Sequence, residues 1–303
     1  MTDMDIDAMD INATSRREPT LNSRVANLED RPIGRILMDM GKLKPHDVDR
    51  VFHLHREKGL RFGEAARKLN LVKHADVQYA LSVQFSYPYL KPGQGALAAD
   101  LVTAHEPFNP QSEILRDLRT QLSLHWLGPE RKTLVVASPD PGDGRSFLAS
   151  NLAVVFAQLG EKTLLIDGDL RFPRQQRIFG QVNGPGLAQA LSGRAGIDAV
   201  APVPYFENLW LLSAGAAPPN PLELLSRSDF TALLAEARKR FTLILIDTPA
   251  AARGSDAKVI GARTDGALVL ARANRTRAGS LDGLCRAMTT GGTPVVGTVL
   301  NRA

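Results

Sequence analysis

Residues 133–146 read TLVVASPDPGDGRS, an apolar, β-branched run that breaks into a Pro/Gly/Asp turn and reopens at Arg145 and Ser146 as the helical pattern FLASNLAVVFAQLG. Few arrangements accommodate a buried strand that turns through glycines straight into a helix N-terminus. One of them is an anion cradle: turn N–H groups point at the anion, the helix dipole favours negative charge, and glycine admits close approach. The usual form of such a phosphate loop is G-x-x-x-x-G-K-[ST]. Here Pro139 stands at the first glycine and Arg145 at the lysine, while Gly144 and Ser146 are in place. Taken alone, the stretch serves equally well as an ordinary strand-to-helix turn.

Two further apolar runs decide between these readings. Residues 163–171, TLLIDGDLR, end in Asp167 and Asp169, and residues 241–249, FTLILIDTP, end in Asp247. Carboxylates at the carboxyl ends of central parallel strands are where Mg2+ and phosphates sit in an open α/β sheet. Helical patterns separate the three runs. The spacing predicts a further strand over 209–213 and two more buried strands over 266–271 and 295–300, with helices over 228–240, 256–262 and 278–290. Between the second and third runs lie a GPGLAQALSG turn with a short helix, and an APPNPLELL loop running into another. Strands alternating with helices imply an α/β fold, a doubly wound, mostly parallel sheet of P-loop NTPase type.

Composition removes several alternatives. No apolar run approaches the about 18 residues of a membrane span, and the N-terminus is acidic, unlike a signal peptide; a cytoplasmic protein is expected. The single cysteine, Cys285, excludes an internal disulfide and any cysteine metal cluster, and the six histidines are scattered without ligand spacing. Residues 1–30 carry seven acids and three bases, a net of −4, so the +5 of the whole chain leaves +9 for the remainder. A basic body can favour phosphate, a membrane face or oligomer contacts. No aromatic-interleaved basic stripe is present, so nucleic acid is not an expected partner.

Four segments are expected: an acidic disordered tail over 1–30, a small, mainly helical domain over 31–90, a linker over 91–109 marked by its prolines and glycines, and the α/β domain over 110–303. The helical part repeats itself. Gly34 and Gly63 are 29 residues apart, and Leu43, Val48 and Val51 answer to Val72, Val77 and Leu81 within a residue. Such a period implies two stacked units that bury one another's apolar faces, with Phe62, Leu69, Val77 and Leu81 in the core.

This repeat resembles the N-terminal domain of type II secretion and pilus assembly ATPases. In one branch of that family, two R-L-G…Q motifs of 24 residues, five apart, bind cyclic di-GMP. The second copy here keeps Arg61, Gly63 and Gln84, the candidate contacts for that ligand; the first has Pro32 and His55 instead. A docking module or plain scaffold is the alternative.

Residues 110–122 place apolar side chains at 114, 115, 118 and 122, an amphipathic helix, with Glu113, Arg116 and Arg119 on one face. Spacing alone reads this face as solvated.

Taken together, the phosphate loop, the LLIDGDLRFP strand end, GLAQALSG with the APPNPLELL loop, and LILIDTP make residues 110–303 similar to the cytoplasmic domain of the bacterial tyrosine kinases of exopolysaccharide and capsule synthesis. These are deviant P-loop ATPases related to the septum-site and plasmid-partition ATPases. The resemblance implies ATP and Mg2+ as cofactors. It implies that Gly142, Asp143, Gly144, Arg145, Ser146 and Phe147 form the nucleotide segment, that Ser146, Asp167 and Asp247 hold Mg2+, and that Arg145, Asp167 and Asp169 act catalytically. One of the two strand-end carboxylates, Asp167 or Asp169, would activate the acceptor tyrosine; the sequence does not choose between them. Glu113, Arg116 and Arg119 match the family's E-x-x-R-x-x-R oligomerisation motif, which replaces the solvated-face reading. The implied partners are a second copy of the chain and a membrane chain-length determinant (a polysaccharide co-polymerase), with the protein peripheral at the inner membrane through it.

Three departures stand out. Arg145 replaces the lysine and cannot place its charge where a compact ammonium sits, Phe147 stands where threonine is common, and no tyrosine cluster closes the sequence, whose only tyrosines are Tyr79, Tyr87, Tyr89 and Tyr205. The alternative function is therefore a catalytically weak, nucleotide-dependent switch or adaptor. A partition-type ATPase is disfavoured because Asp140 occupies the place of that group's extra lysine.

Overall fold

Helix starts in the N-terminal part recur at the spacing of the glycines. In the computed structural model, which describes residues 32–85, 90, 96–181 and 184–302, α1 (Ile33–Asp39) and α3 (Phe62–Lys68) begin 29 positions apart, as do α2 (Pro45–Lys58) and α4 (His74–Gln84). Three of these helices are capped alike: the backbone N–H of Lys44, Arg61 and Lys73 donates to the carboxylates of Asp47, Glu64 and Asp76, satisfying a donor that the helix itself leaves open. Both copies feed one core, with Ile36, Leu37, Leu43 and Val51 from the first and Ala65, Ala66, Val72 and Ala80 from the second. Ala80, not Leu81, is the fully buried counterpart of Val51, because strict 29-residue spacing is kept; Leu81, Phe62 and Leu69 pack at the periphery. The tail over 1–30, with Tyr87 and Tyr89, lies outside the described residues.

Part of the stretch expected as linker is built into the α/β domain. Helix α5 (Val102–His105) lies against the later phosphate-loop helix, with Leu90, Leu101 and Ala104 fully buried. The Thr103 N–H and hydroxyl donate to Asn151 Oδ1 at 3.1 and 2.8 Å. The proline-rich composition hid this, since only a few apolar residues do the packing.

The α/β domain continues with α6 (Pro110–His125), β1 (Thr133–Ala137), α7 (Arg145–Gln158), β2 (Thr163–Asp167), α8 (Gln175–Ile178), α9 (Leu187–Leu191), β3 (Ala201–Pro202), β4 (Leu209–Leu212), α10 (Pro221–Ser226), α11 (Ser228–Arg240), β5 (Leu243–Asp247), α12 (Asp256–Gly261), β6 (Gly266–Arg272), α13 (Ala278–Thr290) and β7 (Val295–Asn301). The sheet order is β3-β4-β2-β5-β1-β6-β7, all parallel except the short β3. The central strands are buried on both faces, and period-2 alternation divides them. Leu134, Val136, Leu165 and Leu245 join α6 and α7 in one core, while Val135, Ala137, Ile166 and Ile246 join α9 to α13 in the other. The expectation of a buried strand at the end of the chain is corrected: β7 is an edge strand with one neighbour, and its residues are half-buried or exposed. Because β1 lies between β5 and β6, and β5 between β1 and β2, the carboxyl ends of β2, β5 and β1 stand side by side at the point where the chain reverses its direction across the sheet.

Candidate active site

Two glycines in left-handed conformations shape the loop after β1: Gly142 has φ +83° and Gly144, the N-cap of α7, φ +108°. A side chain at Gly144 would also meet Asn301, 2.5 Å from where its Cβ would lie. Asp143, expected to face nucleotide, is fully buried. Its carboxylate accepts from the Asp140 N–H at 2.9 Å and from the Thr276 hydroxyl at 3.0 Å, so the side chain fixes the loop from within. The Arg145 guanidinium also turns inward. It donates from Nε to the Thr248 carbonyl at 2.8 Å, and from Nη1 to the Asp140 carbonyl at 2.9 Å and to the Ser138 hydroxyl. Burial lowers its proton affinity, and the nearby Asp247, Asp169 and Asp143 oppose that effect. Phe147 is half-buried, and its carbonyl accepts from Asn151 Nδ2.

Parallel pairing of β2 with β5 sets Asp167 level with Asp247. Both are fully buried. Burial pushes the Asp167 carboxyl up, and the charge of Asp247 pushes it further, against two backbone N–H groups that favour the ionised form. Asp247 is raised by burial too, with the Ser146 hydroxyl, Gln175 and Arg145 opposing. Asp167 accepts the N–H groups of Asp169, Arg174 and Gln175 at 3.2, 3.0 and 2.9 Å, which caps α8. Asp169 accepts from Arg171 and Phe172 through Oδ1 alone, leaving Oδ2 uncommitted among the described residues.

A cation suits this cluster on one observation above all: Asp247 Oδ1 is buried with no hydrogen-bond partner, a costly state for an anionic oxygen unless something positive meets it. Among the described residues no group of three His, Cys, Asp or Glu side chains forms a self-sufficient metal site. Mg2+ characteristically binds through one or two carboxylates plus substrate phosphates and water, and Ser146 beside Asp247 offers that kind of partial shell.

Sequence reasoning missed Gln175. Fully buried, it donates from Nε2 to Asp247 Oδ2 at 2.8 Å and to the Ser146 carbonyl at 3.2 Å, joining β5 to α7, while its Oε1 has no partner. Nothing in the sequence distinguishes it from its neighbour Gln176. Also unforeseen are the ion pair between Arg171 and buried Asp256, 3.2 Å long, and the stacking of Arg253 over exposed Phe172, 4.1 Å from the ring centre. The basic segment ANRTR over 273–277 was a readable signal, since it follows a strand that neighbours β1.

The remaining expected residues lie elsewhere. Glu113, Arg116 and Arg119 share a face of α6, but that face engages its own chain: Arg116 pairs with Glu113 and the Pro107 carbonyl, and Arg119 donates to the Val155 carbonyl at 3.1 Å. Gly63 packs under Val77, whose Cγ1 would lie 2.5 Å from an added Cβ. Arg61 is the N-cap of α3 and Gln84 ends α4, and no hydrogen bond joins their side chains among the described residues. Tyr79 is half-buried in the helical core and Tyr205 at the edge of the α/β core. Cys285 is a free thiol packed on α13. No helix among the described residues is long and apolar enough to cross a membrane.

No protein-family model matches the chain. It is 31% identical over 213 residues to the tyrosine-protein kinase YwqD of Bacillus subtilis, which spans 70% of this chain and 90% of that one. It is 32% identical over 197 residues to the putative tyrosine-protein kinase CapB of Staphylococcus aureus, 65% of this chain and 86% of the relative. Among solved structures, the kinase domain of the Escherichia coli tyrosine kinase ETK superposes with a TM-score of 0.65 at 29% identity, over 70% of this chain and 83% of that domain. Nothing in these relatives bears on cyclic di-GMP.

Proposed function

The chain belongs to the bacterial tyrosine-protein kinases, and from that premise we propose that its α/β domain binds ATP with Mg2+ at the carboxyl ends of β1, β2 and β5 and transfers the γ-phosphoryl group to a protein tyrosine. The observation that carries this reading is the buried, unpartnered Asp247 Oδ1 beside Ser146 and the N-terminus of α7. The backbone of Gly142 to Ser146 cradles the β- and γ-phosphates. Ser146 and Asp247 would hold the cation, which would supply charge stabilisation to the γ-phosphate.

Asp169 takes the phenolic proton. What supports it over Asp167 is that Asp167 already accepts three backbone N–H groups, whereas Asp169 keeps one oxygen uncommitted. The phenolate oxygen then bonds the γ-phosphorus as the bond to the β–γ bridging oxygen breaks, and ADP leaves. Arg145, drawn inward, holds the loop to β5. Asp167 organises the α8 turn and, level with Asp247 across β2 and β5, would add its charge to the cation's site.

The wider role we propose is control of exopolysaccharide chain length, polymerisation or export together with a membrane chain-length determinant. Its support is the likeness of residues 110–303 to kinases of that class. Subunits associate through α6, where Glu113 remains exposed beside its inward-turned arginines. The N-terminal repeat, with its own core, serves as an autonomous docking module.

Calorimetric titration of ADP and ATP with Mg2+, alongside phosphotyrosine mass spectrometry of wild type and Asp169→Ala, tests the central reading. Wild type is expected to bind nucleotide and to carry phosphotyrosine that Asp169→Ala lacks. Binding without phosphotyrosine would leave a nucleotide switch in place of a kinase, and absence of binding would remove the phosphate-loop assignment.

A further inference from the structure

The inward turn of Arg145 leaves the outer side of the phosphate loop without the positive charge that a loop lysine supplies. A different arginine stands there. The segment following β6 reverses at Asn274, whose φ is +61°, and is clamped to the phosphate loop from several directions. Thr276 donates to Asp143 Oδ1 at 3.0 Å, Arg272 Nη1 donates to the Gly142 carbonyl at 3.2 Å, and Asn301 Nδ2, from the neighbouring β7, donates to the Asp143 carbonyl at 2.9 Å. The Arg272 N–H in turn donates to the Thr276 hydroxyl at 2.8 Å. These bonds hold the intervening Arg275 over the loop. Its Nη1 lies 3.1 Å, and its Cζ and Nη2 each 3.5 Å, from the point where a Cβ on Gly142 would sit. All three atoms at nearly one distance means that the guanidinium lies across the glycine, in space a side chain would fill.

The Arg275 side chain makes no hydrogen bond or ion pair among the described residues and is exposed. A guanidinium held against a phosphate loop by its neighbours' bonds, yet with its own donors unspent, is arranged to meet an anion from outside. We propose that Arg275 is the phosphate-binding cation of this site. It contacts the β- and γ-oxygens of a nucleoside di- or triphosphate in place of the loop lysine, while Arg145 has become a structural tie. This inference rests on the nucleotide-binding reading above and adds to it a residue from outside the phosphate-loop motif. A planar guanidinium suits the task, because it can donate two parallel bonds to adjacent phosphate oxygens.

The test uses the full chain, with ADP and Mg2+ as the probe, in wild type, Arg275→Ala, Arg275→Lys and, as a nearby exposed arginine, Arg277→Ala. Arg275→Ala is expected to weaken ADP binding about tenfold, the scale of losing charge-assisted bonds to phosphate. Arg275→Lys should recover part of that loss and Arg277→Ala should stay within about twofold of wild type. The melting temperature of ligand-free Arg275→Ala should equal that of wild type, since the side chain bonds nothing in the chain, so its effect would lie in ligand binding alone. An Arg275→Ala protein that binds ADP as wild type does would overturn the inference and leave the nucleotide reading standing. A wild type that binds no ADP would overturn both.

Discussion

Arg145 Nε donates to the Thr248 carbonyl at 2.8 Å, tying the first residue of the phosphate-loop helix to the residue that follows Asp247. The bond crosses from α7 to the end of β5, and it explains how the site tolerates arginine where lysine is usual. A guanidinium has donors along its length that can be satisfied by carbonyls at the base of the loop. An ammonium has donors only at its tip.

Arg145→Lys is therefore expected to free the charge toward the phosphates and to raise phosphoryl transfer by about tenfold or more. It should cost about 1 kcal/mol in stability for the lost carbonyl bonds. Initial rates of tyrosine phosphorylation and thermal melting of the ligand-free protein check the two parts. A rate unchanged or lower would show that a missing loop lysine does not limit transfer at this site.

For Asp169→Asn, a fall in kcat of about 10²- to 10⁴-fold is expected, the range of general-base catalysis. Because Oδ1 holds the turn through the Arg171 and Phe172 N–H groups and the amide oxygen can replace it there, ADP affinity should stay within about twofold. The comparison of kcat with the calorimetric dissociation constant would count against Asp169 as base if both changed together.

Gln175→Leu removes the donor to Asp247 Oδ2 and to the Ser146 carbonyl. Supporting residues of this kind characteristically change metal affinity about 10- to 100-fold. The Mg2+ concentration that half-saturates ATP turnover should rise by that order, read from magnesium titrations at fixed ATP. An unshifted midpoint would mean that Asp247 orients itself.

Asp265 fastens the start of β1. Burial alone would raise its carboxyl, but Arg238, the N–H groups of Thr133 and Lys132, and the Thr133 hydroxyl outweigh burial and hold it below the usual carboxylate range. A folded-state value below the unfolded one adds stability that is complete above the unfolded value, about 3.9, and is lost as pH falls through the folded value. Asp265→Asn should therefore cost about 2 kcal/mol at pH 7, and the gap between the two proteins should narrow as pH falls below the unfolded value and through the folded one. Denaturant unfolding at several pH values reads both; a gap independent of pH would place the effect in packing instead.

Gly63→Ala places a methyl against Val77 Cγ1, 2.5 Å from the new atom, and overpacking of this kind costs about 1–3 kcal/mol. If the repeat is a separate module, the variant should lose helicity in a distinct early transition while its ADP affinity matches wild type. Calorimetric melting and nucleotide titration of the full chain measure this. A single transition that lowers both would join the modules into one cooperative unit.

Much of this molecule is written along the chain itself. Strands β1, β2 and β5 are short runs of apolar residues, each running to a carboxylate or a glycine turn, and the structure puts them adjacent as such patterns imply. The 29-residue repeat was visible in two glycines, and it reappears in the helix starts because each glycine meets a bulky neighbour, Gly34 against Phe62 and Gly63 against Val77. Less legible were places where a side chain's partner is distant in sequence. Glu113, Arg116 and Arg119 match an interaction motif, yet the arginines found carbonyls of their own chain. The segment around Leu101 had the composition of a linker, yet buried Leu101, Thr103 and Ala104, with the Thr103–Asn151 bonds, dock it.

Local pattern alone determined the order of strands and helices, the turn through glycines into α7, and the carboxylates at the strand ends, because each depends on spacing within a few residues. Only the tertiary structure decided which charges reach the phosphate loop. Arg145 is consumed by Ser138, Asp140 and Thr248, Gln175 is brought to Asp247 from 72 positions away, and Arg275 is laid over Gly142 by hydrogen bonds from Thr276 and Arg272. Hydrogen bonds and charges act through space over a few ångströms, and the sheet order brings together residues that sequence spacing leaves far apart.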